Sequence, residues 1–144
     1  MADVSRSLSD YLAAIGRRRW QPGVLDCGVF MADWVRAITG LDPIADVRGS
    51  YSTEKQFMRI VRREGGFEAA VARRLAAVGF HATAVATAGD IAVVLAPYAI
   101  RRGKIQHRPT GAIAVDATQR AVVTSDLGLV IAPLPQIMAY RHHG

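Results

Sequence analysis

Residues 20–43 read WQPGVLDCGVFMADWVRAITGLDP, and the change of pattern inside this stretch decides how the first half of the chain is read. A loop containing Pro22 and Gly23 gives way at Asp26 to a run in which Phe30, Met31, Trp34, Val35 and Ile38 recur at helical spacing. That period predicts a helix with one buried face. Asp26 is placed to cap it, its carboxylate accepting from the first free backbone amides, and Gly40 stands where a helix ends. Cys27, the sole cysteine, falls in the first turn. Unsatisfied N–H groups and the partial positive charge at a helix start favour thiolate over thiol and can hold a developing oxyanion. Gly28 beside it would let a substrate backbone approach closely. Equally, a free cysteine packs well as a small buried hydrophobe. Position alone leaves both readings open.

Outward from this helix the N-terminal half is helical throughout. SLSDYLAAIGRRRW sets Leu8, Leu12 and Ile15 on one side, with Ser7 or Ser9 as N-cap and arginines near the C-terminal end. DPIADVRGSYS is loop, where Arg48 can pair with Asp26 or Asp46 or face water. STEKQFMRIVRREGG offers Phe57, Met58, Ile60 and Val61 as a buried side, and FEAAVARRLAAVGF offers Val71, Leu75 and Val78 before Gly79. Beyond residue 88 the period changes to that of short Val- and Ile-rich strands: GDIAVVLAP, TGAIAVDA, RAVVTSD and GLVIAP. The segment RRGKIQHRP is expected to be a mobile basic loop in which Pro109 interrupts the ladder, and LPQIMAYRHHG to begin with a short turn or strand and fray. Helices followed by antiparallel strands predict a single α+β domain over residues 1–144, the helices packed on one face of the sheet.

At 144 residues, about half of them apolar, the chain has the composition of one globular domain. No apolar run reaches bilayer-spanning length, and the N-terminal stretch lacks an apolar signal core, so no membrane span and no cleaved leader are expected. The net charge of +6 suits an anionic polymer or acidic partner. The basic residues are scattered without interleaved aromatics, so specific nucleic-acid binding is not expected. No Cys/His cluster has zinc spacing and no glycine pattern makes a phosphate loop, so neither metal nor cofactor is expected. Trp20, Trp34 and Tyr51 read as core and rim aromatics.

The motif DCGVF opening a helix, followed by GDIAVV and TGAIAVD, resembles the NlpC-type branch of the papain-like cysteine peptidases. The longer stretch PGVLDCGVFMADWVRAITGLDPIADVRGSY is similar to a family found among phage and prophage tail genes. The resemblance implies a papain-like, NlpC-type α+β fold in which Asp26 and Cys27 match the nucleophile motif and Gly89 and Asp90 open the first core strand. It places Pro109 where that superfamily has its general base. Of the four histidines, His81, His142 and His143 lie elsewhere, and only His107, two residues upstream of Pro109, is near the required place. His107 is the candidate base, or else a solvated residue of a basic loop; Asp116 and Asp126 could orient an imidazole or simply close turns.

Three functions follow. The first is a phage or prophage tail component near the distal tail or hub, made in the host cytoplasm and carried in the virion, that retains the fold with degenerate catalysis. Its partners would be other tail proteins. The second is an active cysteine peptidase or amidase cutting cell-wall peptides, host peptidoglycan being the substrate, with Cys27 attacking and His107 as base. The third is a basic module holding an anionic polymer. The incomplete catalytic set favours the first.

Overall fold

The α2 helix, Cys27–Thr39, takes its boundaries from local signals. Asp26 is extended and accepts from the Val29 N–H, and Gly40 closes the other end with φ 77° while donating to the Arg36 carbonyl. Phe30, Met31, Trp34 and Val35 are buried. Ile38, expected inward, is 37% exposed because the last turn runs past the sheet it packs on. This computed structural model describes residues 4–143. Among them four helices precede six strands: α1 (Val4–Ile15), α2, α3 (Glu54–Arg63), α4 (Phe67–Ala76), β1 (Phe80–Thr83), β2 (Ile91–Arg101), β3 (Lys104–Ala114), β4 (Arg120–Thr124), β5 (Gly128–Ala132) and β6 (Gln136–His142).

The helices carry the expected apolar faces with local differences. Leu8, Leu12 and Ile15 of α1 are buried. The helix is already under way at Val4, so Ser7 and Ser9 lie inside it rather than capping it, and Arg17–Arg19 lie beyond its end. On α3 only Val61 is fully buried; Phe57 and Ile60 are half-covered and Met58 is 38% exposed. Val71 and Leu75 of α4 complete the layer.

The strands form one antiparallel sheet in the order β1-β6-β2-β3-β4-β5. Two expectations are corrected here. The stretch around RRGKIQHRP is the outer half of the β2–β3 hairpin, with Pro97 opposite His107, Ile100 opposite Ile105 and Arg101 opposite Lys104. Its tip is Arg102 and Gly103, with φ 51° and 74°, the paired positive-φ geometry that matches the twist of two-residue hairpins. Pro109 stands within the ladder opposite Leu95, in a part of β3 that β4 does not reach, where a missing N–H is tolerated. The second correction concerns the C-terminal segment. It is an interior strand, β6, paired with β1 on one side and β2 on the other.

Alternation along the strands divides the core in two. Ile91, Val93, Ile113, Ala121, Val123 and Tyr140 face the helices and meet Trp34, Phe30 and Leu12. Ala92, Val94, Ala112, Ala114, Val122 and Ala139 line the other face, with Ala86 buried among them and Leu134 packed against them. The helical layer is stapled to the sheet at the start of β2. There the Trp34 indole N–H donates to the Gly89 carbonyl at 2.8 Å, and Asp90 accepts from Arg141 at 2.9 Å and from the Thr87 N–H at 2.8 Å. Among the described residues no helix is long and apolar enough to cross a membrane.

Candidate functional site

The turn before α2 is shaped around one carboxylate. Gln21 and Leu25 exchange backbone hydrogen bonds of 2.9 and 2.8 Å, folding Pro22 and Gly23 back toward the helix. Asp26, 2% exposed, then accepts from the Val29 N–H through Oδ1 at 2.8 Å, and through Oδ2 from the Gly23 N–H at 2.8 Å and the Tyr51 hydroxyl at 2.6 Å. Three donors on a buried carboxylate make Asp26 the joint of loop, helix and the 41–53 segment. Arg48, expected near Asp26 or Asp46, pairs instead with Asp42 at 2.7 Å and Asp33 at 2.8 Å. Tyr51 takes the partner position on Asp26, a role sequence reasoning missed. Its only signal was the recurrence of the RGSY stretch within the family-like loop.

Cys27 follows as the first residue of α2 and is 7% exposed. Burial, and next the charge of Asp26, push its thiol up from 9.0 to about 11. The Gly111 N–H on the sulfur and the more distant charge of Arg108 act the other way and lose. The helix-end setting therefore does not produce a thiolate at neutral pH. Strand β3 crosses close over this turn: at Gly111 a Cβ would collide with the Met31 terminal methyl and sulfur and stand 2.9 Å from the Cys27 carbonyl. Glycine is what lets the strand reach the sulfur.

A cleft of about 110 Å³ opens beside Cys27, walled by Trp20, Pro22, Phe57 and Phe67 on the helical side and by Arg108 and Pro109 of β3. A smaller space of about 20 Å³ touches the same Cys27, Trp20 and Arg108 and continues toward Tyr98, Thr110 and Ser125. Arg108 lines both. Its guanidinium lies 4.7 Å from the centre of the Tyr98 ring and pairs with Glu54, at the start of α3, at 2.6 Å. Neither Arg108 nor Glu54 had a sequence signal, since 54 residues separate them and only the hairpin register brings them together.

The candidate base is not brought to the sulfur's cleft. His107 is exposed, opposite Pro97, and does not line either space; the β3 position on the cleft wall is Pro109, about 7 Å along the strand at the usual rise per residue. His81 and His143 stack on each other at 4.2 Å and His142 meets the edge of Phe80 at 5.1 Å, all on β1 and at the end of β6, with β2 between them and β3. Asp116 accepts from the Thr118 and Gln119 N–H groups of its own turn at 2.8 and 2.7 Å, and Asp126 accepts from Ser125 in the β4–β5 turn. Among the described residues no three His, Cys, Asp or Glu side chains are grouped to hold a metal. Chemically, then, the cleft presents a neutral buried thiol, apolar walls and one paired arginine.

No curated protein and no solved structure matches the chain. One family does match, over residues 1–141, which is nearly the whole of the fold just described and includes every residue of the cleft. The chain therefore belongs to the family described as Domain of unknown function (DUF6950).

Proposed function

We propose that this chain is a papain-like, NlpC-type domain whose hydrolytic chemistry has lapsed, and that it serves as a structural component of a phage or prophage tail. One observation carries the loss of catalysis: the strand position facing the Cys27 cleft is Pro109, and no imidazole lines that cleft. A cysteine hydrolase needs a base within hydrogen-bond reach to take the thiol proton and return it to the leaving group, worth roughly a hundredfold to ten-thousandfold in rate. Here the thiol is held neutral and no shuttle stands beside it. The helix order, the Asp26–Cys27 start of α2 and the Gly89–Asp90 start of β2 support the papain-like reading. The assignment to a tail rests on the sequence resemblance, and its partners would be neighbouring tail proteins.

Alkylation of Cys27 by iodoacetamide followed against pH tests this. The rate is expected to rise with a midpoint near the thiol value of about 11, and purified protein is expected to release no fragments from peptidoglycan. Pro109→His, which puts an imidazole on the cleft wall, is expected to pull the alkylation midpoint down toward neutrality. Crosslink cleavage by the native chain that Cys27→Ser abolishes would overturn the proposal in favour of an active peptidase or amidase. An alkylation midpoint at or below that of a free thiol would count against it as well.

A further inference from the structure

The largest concavity lies away from Cys27, between the loop around residues 42–51 and the outer faces of α3 and α4, with a volume of about 850 Å³. Its carboxylates are all engaged within the fold. Asp42 holds Arg48 at 2.7 Å, Asp46 holds Arg74 at 2.6 Å, and Glu64 holds both Arg74 and Arg73 at 2.9 Å. Arg59 and Arg63 are different. They stand four residues apart on the exposed side of α3, line the groove, and have no carboxylate within ion-pair distance among the described residues. Directly beneath, an apolar space of about 70 Å³ adjoins the groove through Pro43, Val47, Tyr51 and Ile60.

We infer that this groove docks an acidic segment of a partner protein, its carboxylates on Arg59 and Arg63 and one aliphatic side chain directed into the apolar space. Two unpaired cations four residues apart on one helix face match carboxylates spaced along a single extended or helical segment. The apolar space offers nothing to a phosphate backbone, and Asp42, Asp46 and Glu64 along the opposite wall oppose a continuous polyanion. A peptide combining acidic and aliphatic residues fits both features; a nucleic acid fits only the first. The site uses no residue of the Cys27 cleft and stands whether or not that thiol reacts.

Three fluorescein-labelled probes, followed by anisotropy on the full chain, test this: a short alternating Glu–Leu peptide, a polyglutamate peptide of equal charge, and an oligothymidylate. The Glu–Leu peptide is expected to bind at least about tenfold more tightly than either of the others. Arg59→Glu combined with Arg63→Glu is expected to weaken it by about tenfold or more, whereas Arg17→Glu combined with Arg101→Glu, the same charge change on other exposed sites, is expected to weaken it less than about threefold. In the native chain the Glu–Leu peptide is expected to shield Arg59 and Arg63 from phenylglyoxal, read by mass spectrometry without any substitution. No binding of the Glu–Leu peptide, equal or tighter binding of polyglutamate or the oligonucleotide, equal loss in the two charge-reversed variants, or unshielded arginines would each overturn it.

Discussion

Gly111 holds the closest approach between sheet and helix, and its lack of a side chain is a geometric requirement rather than a conformational one. Any Cβ there meets Met31 and the Cys27 carbonyl together, and the carbonyl belongs to the first turn of α2, which Asp26 pins from three sides. Gly111→Ala is therefore expected to destabilise the fold by about 1–3 kcal/mol, the ordinary cost of overpacking a filled interior. A shift of the urea midpoint without change of slope would register it. The same substitution moves the backbone N–H that the thiol accepts, so faster alkylation of Cys27 should accompany the lost stability. Unchanged stability would mean that β3 can ride up off the helix at little cost.

Among the elements, the α3–α4 pair and the loop before it are joined by a single guanidinium. Arg74 donates to the Pro43 carbonyl at 3.0 Å and to Asp46 and Glu64 at 2.6 and 2.9 Å, so one side chain ties loop, α3 end and α4 together. It holds the carboxyls of Asp46 and Glu64 below the usual carboxylate range. Depressed values of this kind contribute stability above the ordinary carboxylate range and lose it as pH falls through the folded value. Asp46 is largely exposed and screened, so Glu64 carries most of the effect. Arg74→Ala is expected to cost about 2 kcal/mol at neutral pH and to flatten the decline in stability on acidification. Thermal melts of the two proteins from neutral to acid pH would check both. Parallel acid limbs would show that Arg74 acts by packing alone.

For the whole molecule, the order of the sheet makes the C-terminus an internal support. β6 lies between β1 and β2, and its Tyr140 and Ala139 enter the two sides of the core. Deleting residues from 136 onward is expected to abolish cooperative unfolding, since the loss is comparable with the entire folding free energy of about 5–15 kcal/mol. A sharp thermal transition in the shortened chain, seen by circular dichroism, would contradict that. Much of the architecture was legible beforehand: the limits of α2, the Asp26 cap, the inward faces of Leu8, Leu12, Val71 and Leu75, and the helix-then-strand order of an α+β fold. These depend on contacts within a few residues, where capping, side-chain period and turn chemistry act directly. The LPQIMAYRHHG segment hid its strand because weakly patterned residues become β-structure only when neighbours supply ladders on both sides. Likewise the hairpin around Arg102, the meeting of Pro109 with the Cys27 cleft and the Arg108–Glu54 pair, 54 residues apart, required the register of β3 on β2. Sequence by itself determined where the thiol stands on its helix. Tertiary structure alone decided what faces it, because strand pairing sets the neighbours across a cleft and local pattern does not.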